Sequence, residues 1–407
     1  MLGDRIRKLR KQKKMTLETL AGEELTKGML SLIENNKAKP SMESLAYIAK
    51  QLEVEITDLL EEISSRELRG ILERAEILYN TDNEEITNKY EQLIDLIEPY
   101  IENLVQGYES ARLLDIYSRC LYYQKKNVWQ NYLDRAAVLY DQINLTANRA
   151  AIGIFHAMTE FAKHDYALAL NLFLQERTHI EANHIYIDPM TRVNLDYHDA
   201  LLHFAIGDSA AARAVMNNAI DYSKEHRIFY LINDLYRMAA AQAMMEKDEE
   251  KKLYYLKKIK QYGEFAEDEQ SIIFYELMDI MSLISDKHHY TRALEKIEEF
   301  FCLPDKAKEL NQFFSLEKGK ALYGLGQYKK AIICLDKIEI PPFSHHPFDL
   351  SLFYEMDSYK ALCHLELGDR NKALQLAKTA VEKFTNLPQT PYKDFSQETY
   401  DRIKRKI

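Results

Sequence analysis

The chain has 407 residues, with 54 Lys plus Arg against 64 Asp plus Glu and a formal net charge of −10. Its 46% hydrophobic content is enough for a sizeable core and excludes wholesale disorder. Only 12 Gly and 9 Pro occur, about half the usual roughly 7% and 5%, which argues against a turn-rich all-β protein and for an all-α one. No window approaches the roughly 18 uncharged apolar residues of a membrane-spanning helix. The start, Met1-Leu2-Gly3-Asp4-Arg5, carries charge where a signal peptide needs an apolar stretch. Cys120, Cys302, Cys334 and Cys363 lie far apart and form no Cys-x-x-Cys pair. They read as reduced, mostly buried thiols of a cytoplasmic protein.

Charge is uneven along the chain. Residues 1–40 hold ten Lys or Arg and five acids, a balance of +5 on a chain of net −10. A basic head on an acidic body points to a small nucleic-acid-binding module; the plainer reading is a solvated first helix. Leu2, Ile6 and Leu9 recur at helical spacing. Thr16 is placed to cap a short second helix with Leu17, Leu20 and Ala21. Gly22 to Leu25 turn the chain, and Thr26 caps a third helix through Asn36, with Leu30 and Ile33 inward. Pro40-Ser41 starts a fourth helix (Leu45, Ile48, Ala49, Leu52), and Val54, Ile56, Leu59 and Leu60 close a fifth. Five short helices in about sixty residues, with a tight turn between the second and third, is the helix-turn-helix plan. In that plan the second helix of the pair enters the major groove.

These residues resemble the Xre/Cro-type repressor domain. The family pattern is Thr-Gln-x-x-Leu-Ala, then Ser-x-Ile-Glu-x-Gly, then Pro-Ser-x-x-x-Leu. Here it is met by Thr16 to Ala21, Ser31 to Asn36 and Pro40 to Leu45, over residues 2–62. Two positions depart. Leu17 stands where the family often has Gln, and Asn36 stands where it has Gly; Asn tolerates the left-handed conformation such a cap needs. The resemblance puts Lys27, Gly28, Met29, Ser31 and Leu32 where the family reads bases. Lys27 suits guanine O6 and N7, and Ser31 a base or phosphate. Met29 suits a thymine methyl; core packing is the other reading for Met29 and Leu32. Thr16, Thr26, Lys37, Lys39 and Arg5 are the flanking DNA contacts expected, with Lys8, Lys11, Lys13 and Lys14 as further phosphate partners.

Residues 63–104 read as a helical connector. Its apolar sets are Leu68, Ile71, Leu72, Ala75 and Leu78, then Tyr90, Leu93, Ile94 and Ile97, with Pro99 as the stop. Beyond it one pattern recurs: a small residue, a short turn, an aromatic, then Ala about three residues on. Gly319 … Gly326-Gln-Tyr328-Lys-Lys-Ala331 and Ala361 … Gly368 … Ala373 are the clearest copies. Ala200 … Gly207 … Ala212, Ala157 … Tyr166 … Ala169 and His289-Tyr290-Thr-Arg-Ala293 follow, with weaker copies near Lys126 and Lys247. Units spaced by about 38–43 residues resemble the tetratricopeptide repeat, with longer elements than its usual 34 residues. About seven hairpins over residues 105–385 are expected. The resemblance implies a right-handed superhelix with a concave face suited to extended peptides.

A head of this type on a long-period repeat array resembles the peptide-pheromone-responsive regulators of Gram-positive bacteria, the Rgg/NprR/PlcR/PrgX (RRNPP) group. That resemblance implies a homodimeric, quorum-sensing transcription regulator with three parts: 1–62 for double-stranded operator DNA, 63–104 as connector, and 105–407 for effector binding and dimerisation. A short peptide on the concave face would change dimer geometry and DNA affinity. The competing expectation is a constitutive DNA-binding scaffold whose array docks a protein. Aligning each hairpin on its Gly puts Tyr123, Phe161, Asn194, Tyr197, Arg237, Tyr275, Lys320 and Tyr323 on the inner face, with Asn233 nearby. Asn exchanges both kinds of hydrogen bond with a peptide backbone, Arg237 or Lys320 suits a carboxylate, and Tyr gives contact area at low entropy cost. The plainer reading is packing, since the chain holds 27 Tyr. No catalytic motif occurs: there is no His-Glu-x-x-His, Gly-x-Ser-x-Gly, P-loop or Rossmann fingerprint. His198 and His203, and the pairs His288-His289 and His345-His346, lack metal-ligand spacing. No cofactor and no enzyme activity are expected; the related Rap phosphatases place a catalytic Gln on an N-terminal bundle that the head replaces here.

Overall fold

The computed structural model describes residues 2–56, 59, 65–82, 86–302 and 310–406, and every regular element among them is helical. None of these helices is long and apolar enough to cross a membrane. The chain divides into two compact units, Met1–Ile152 and Gly153–Ile407.

The first unit opens with α1 (Leu2–Gln12), α2 (Leu17–Ala21), α3 (Lys27–Glu34) and α4 (Met42–Leu52). Each predicted cap is in place. Thr16 Oγ1 accepts from Thr19 N–H (3.0 Å), Thr26 Oγ1 from Met29 N–H (3.1 Å) and Ser41 Oγ from Ser44 N–H (3.1 Å). Ile6, Leu20, Leu30, Ile33, Leu45, Ile48, Leu52 and Leu59 close one core, none more than 3% exposed. α3 stops at Glu34, two residues before the predicted end, because Asn36 turns left-handed at φ 56°. Of the predicted fifth helix, Leu59 is buried and Val54 and Ile56 pack against the same core; Leu60 and the 62/63 boundary lie outside the described residues. Next come α5 (Ser65–Asn80), α6 (Lys89–Ile97), a 3-10 turn over Glu98–Asn103 that holds Pro99, and the hairpin α7 (Gly107–Tyr123) and α8 (Trp129–Gln142). Leu68, Ile71, Leu72, Ala75, Leu93, Ile94 and Ile97 are buried, as their spacing requires.

The unit boundary falls within α9 (Thr146–Phe161), which pairs in sequence with α10 (Tyr166–Asn183). The second unit continues as α11 (Pro189–Ile206) with α12 (Ser209–His226), α13 (Ile232–Met245) with α14 (Glu249–Ala266), and α15 (Glu269–Ser285) with α16 (Tyr290–Phe301). α17 (Asn311–Gly324) with α18 (Tyr328–Leu335) follows. A short α19 (Pro347–Tyr354) precedes α20 (Met356–Glu366) with α21 (Arg370–Lys383), and α22 (Pro391–Lys406) ends the chain. α19 has no antiparallel mate adjacent in sequence, an interruption that the repeat pattern does not announce.

Two local devices repeat. At the hairpin turns a left-handed residue precedes the cap of the second helix. Gly207, Gly326 and Gly368 fill that place where the pattern is clear; Lys125 and Lys247 fill it at the two weaker copies. Asp165, Asp208, Asp248 and Asp369 then accept the backbone N–H three residues on. Where helices cross, small side chains vanish from solvent: Ala157, Ala169, Ala200, Ala212, Ala293, Ala331, Ala361 and Ala373 are all 0% exposed. At Gly319 an added methyl would stand 2.3 Å from Leu335 Cδ2, whereas at Gly70 it would meet nothing within 4 Å. Gly319→Ala should therefore destabilise the second unit by about 1–3 kcal/mol by overpacking. Gly70→Ala, in α5, should stabilise by about 0.5–1 kcal/mol through helix propensity alone. Thermal unfolding of the two single variants against the parent chain checks the opposite signs.

Candidate nucleic-acid face and ligand cleft

In the head, α3 is fixed from behind. Arg10, 11% exposed, donates from Nε to Glu34 Oε1 (2.6 Å) and from Nη2 to Oε2 (2.8 Å); the Glu34 side chain is 1% exposed. Its third donor reaches Met15 O at 2.9 Å, tying the start of the helix-turn-helix to the same fork. That bidentate pair raises the Arg10 pKa above its ordinary value. At the far end Gly3 N–H donates to Asn36 Oδ1 (2.9 Å), and an added methyl at Gly3 would stand 2.1 Å from Ile33 O. Asn36 thus does more than tolerate a left-handed turn: it also seats α1 against the end of α3.

The outer face of α3 is open. Lys27 and Gly28 are exposed, Met29 and Leu32 are each 46% exposed, and Ser31 is half-buried. Of the two readings for Met29 and Leu32, the outward one holds. Lys27 Nζ lies 2.6 Å from Glu18 Oε1, but both side chains are more than half exposed, so the pair is weak. Lys8, Lys11, Lys14, Lys37 and Lys39 are exposed, with no ion-pair partner among the described residues. Thr16 and Thr26 are exposed caps whose oxygens already accept from the backbone. Arg5 donates to Leu59 O (3.0 Å), so its guanidinium braces the head rather than standing free. Lys13 is held by Glu53. Leu17, the departure from the Gln pattern, packs against the head core.

The second unit holds a cleft of about 390 Å³. Leu201, Phe204, Met238, Phe274 and Phe348 supply apolar walls; Tyr197, Asp234, Arg237, Glu246 and Asp349 supply polar groups. Its rim includes residues 388–391, and His346 lies beside Asp349. Helices far apart in sequence meet here because the chain folds back: Tyr166 Oη donates to His345 O (2.8 Å) across 179 positions. Arg237 lies over the Phe274 ring, its charge shared with Asp234 (3.5 Å) and Asp268 (3.9 Å), and donates to Ser271 Oγ (3.2 Å). Its Nε is buried with no hydrogen-bond partner among the described residues. Glu246 at the edge is paired with Arg213. Burial pushes the Asp349 carboxyl up to about 7 and holds His346 neutral, down to about 4; His346 instead caps α19, its Nδ1 accepting from Phe348 N–H (3.1 Å).

Of the inner-face residues expected from the turn alignment, Tyr197 and Arg237 line this cleft and the other seven, Asn233 included, do not. Phe161 is 4% exposed and packs against Tyr166 and His346. Lys320 is 5% exposed, 2.8 Å from Glu317 and ion-paired with Glu355, so its charge is matched inside the protein. The Lys320 ammonium is held well above its usual pKa by those carboxylates. Tyr323 packs on Tyr328 and Tyr359, and Tyr275 lies under Lys260 (5.1 Å). Asn194 and Asn233 are half-buried, and the Asn194 carbonyl is bonded to His198 Nδ1 (2.9 Å). Tyr123 stacks on Tyr90. Sequence reasoning missed Asp349, His346 and residues 388–391, which lie outside the repeat pattern. The Pro347 start of α19 after a capping His was the one available signal. Among the described residues no group of three or more His, Cys, Asp or Glu is placed to hold a metal ion. The cysteines are free: Cys120 and Cys363 buried, Cys334 half-buried and Cys302 exposed.

The head is therefore a helix-turn-helix domain, and residues 3–64 match the helix-turn-helix domain family. No curated protein sequence matches the chain. The solved structures it is similar to include Bacillus thuringiensis PlcR in complex with the peptide PapR7 and DNA, at 19% identity, 65% of this chain, 95% of that chain and a TM-score of 0.34. The Streptococcus dysgalactiae SHP pheromone receptor Rgg2 is similar at 14% identity over 68% of this chain and 98% of that one, TM-score 0.32. ComR from S. thermophilus in complex with DNA and its signalling peptide ComS is similar at 19% identity over 67% and 96%, TM-score 0.30.

Two outcomes follow from these charges. Glu34→Gln leaves Arg10 buried without its counter-ion and should destabilise the head by about 3–5 kcal/mol, while replacing both partners by apolar residues should recover most of that. Chemical unfolding of the single and double variants checks it. For Asp349 the folded pKa lies above its ordinary 3.8, so ionisation opposes folding. The penalty is absent below about pH 4, grows across the window and is complete above pH 7. Asp349→Asn should raise the melting temperature at pH 8, with the gain shrinking as pH falls toward 4.

Proposed function

We propose that this chain is a transcription regulator whose head reads operator DNA and whose second unit senses a small effector, most simply a short peptide, in the 390 Å³ cleft. The observation that carries the reading is the outer face of α3. It leaves Met29 and Leu32 in water beside Lys27 and Ser31, while Leu30, Ile33 and Glu34 are buried behind it. An exposed apolar pair on a helix of a lysine-rich head suits a groove that offers thymine methyls between phosphates. Residues 1–62 act as half of a dimer, each head taking one half-site a helical turn from the other. Residues 63–104 connect, and residues 105–407 dimerise and bind the effector. Effector and operator are coupled if the effector favours one head spacing. The cleft favours a small ligand over a docked protein: it is concave, apolar-walled, and holds a few convergent polar groups.

Selection of duplexes from a random-sequence pool by the full chain, followed by gel shift, tests the head. A consensus with two half-sites is expected, and Lys27→Ala/Ser31→Ala should relax it. Lys37→Ala/Lys39→Ala should weaken all sequences alike and reduce the salt dependence by about one ion per lost phosphate contact. A flat selection, or a wild type that binds no duplex, would remove the head from the reading. Native mass spectrometry then reads dimer mass and any retained effector together.

A further inference from the structure

Asp349 is the one carboxylate in the cleft whose charge no cation answers among the described residues. Asp234 has Arg237 and Glu246 has Arg213, whereas Asp349 has neither a hydrogen bond nor an ion pair there. A half-buried carboxylate against an apolar wall and without a partner is costly, and such a group persists where something supplies the missing charge. Three carboxylates line the cleft against one guanidinium, and no lysine does. His346 beside it stays neutral, so it adds no compensating charge. Arg237, the residue best placed for a ligand carboxylate, is already matched by Asp234 and Asp268 and rests on Phe274. What it still lacks is an acceptor for Nε.

We infer that the cleft takes a ligand bearing an ammonium or guanidinium group, which Asp349 binds while an adjacent apolar group packs between Phe204, Met238, Phe274 and Phe348. In a peptide effector this group is the free amino terminus or a Lys or Arg side chain. A carbonyl next to it would satisfy Arg237 Nε. The inference rests on the cleft being the effector site, and it fixes the sign of the charge that site selects.

The full chain at pH 8 is titrated, by saturation-transfer NMR and calorimetry, with three probes of one shape: phenethylammonium, 2-phenylethanol and 3-phenylpropionate. The cation should bind about tenfold or more tightly than the alcohol, the carboxylate weakest, as for a charge-assisted bond. Asp349→Asn should erase that order while leaving the alcohol's affinity unchanged. Glu246→Gln at the edge should keep it. Ala241→Trp, which fills the cleft, should lower the affinity for all three and so locate the site. Equal or tighter binding of the alcohol or carboxylate by the wild type overturns the charge assignment but leaves the cleft as a ligand site. If the cation preference survives in Asp349→Asn, Asp349 is not its source. If no probe binds, or binding survives Ala241→Trp, the cleft itself falls, and with it the effector half of the proposed function. The wild-type order needs no variant, so the inference stays testable even if a substitution impairs folding.

Discussion

Helix crossings in the second unit are spaced by alanine and glycine, and the placement of every other side chain there depends on that spacing. At the crossings named above the alanines are wholly buried, and Gly319 leaves no room for a methyl against Leu335. Interiors at this density do not absorb added volume, so a helix pair set this close has one way to sit. Successive pairs then inherit their positions from the pair before. Because the chain folds back within the unit, Tyr166 meets the carbonyl of His345, and residues 345–349 come to the helices that carry Tyr197 and Arg237. The cleft is thus a product of close packing repeated many times.

Charge is handled differently in the packed array and in the cleft. Where the array is solid, buried charges are answered: Lys320 by Glu317 and Glu355, Lys252 by Glu249 (2.7 Å) and Asp286 (2.8 Å), Arg177 by Asp196 (2.7 Å) and Asp199 (2.8 Å). Such pairs add little net stability, but losing one partner is expensive, so they fix orientation. In the cleft the rule lapses at Asp349 and at Arg237 Nε. An unanswered carboxylate beside an apolar wall is the feature on which the proposed charge preference of the cleft rests.

The head uses the same economy on a smaller scale. Arg10 and Glu34 form a nearly dry fork behind α3, and Asn36 ties the end of that helix to Gly3. Both contacts act on the inner side, so the outer side keeps no structural duty. Met29, Leu32 and Ser31 are consequently available, Lys27 gives up only a weak exposed pair with Glu18, and Lys8, Lys11, Lys14, Lys37 and Lys39 have no ion-pair partner among the described residues. A rigid backing with an unoccupied face is what a reading helix needs, because each base contact is worth only about 1–3 kcal/mol and is lost by small misplacement.

The sequence by itself determined whatever is local. Caps at Thr16, Thr26 and Ser41, the inward set of the head, and the small-residue rhythm of the hairpins all follow from interactions within a few residues or one helix turn. So do the weaker copies near Lys126 and Lys247, where Lys125 and Lys247 take the left-handed place that glycine holds elsewhere. Of the residues named by aligning hairpins on their turns, Tyr197 and Arg237 line the cleft. The same alignment also named Phe161 and Lys320, which are buried, because a turn position fixes a residue's place along its helix but not what comes to cover it. Only the tertiary structure decided that. It brought Glu355 to Lys320, His346 to Phe161, and Asp349 to the cleft without an ion-pair partner among the described residues. These meetings join elements whose sequence separation no periodicity can bridge, and they decide which side chains line the cleft.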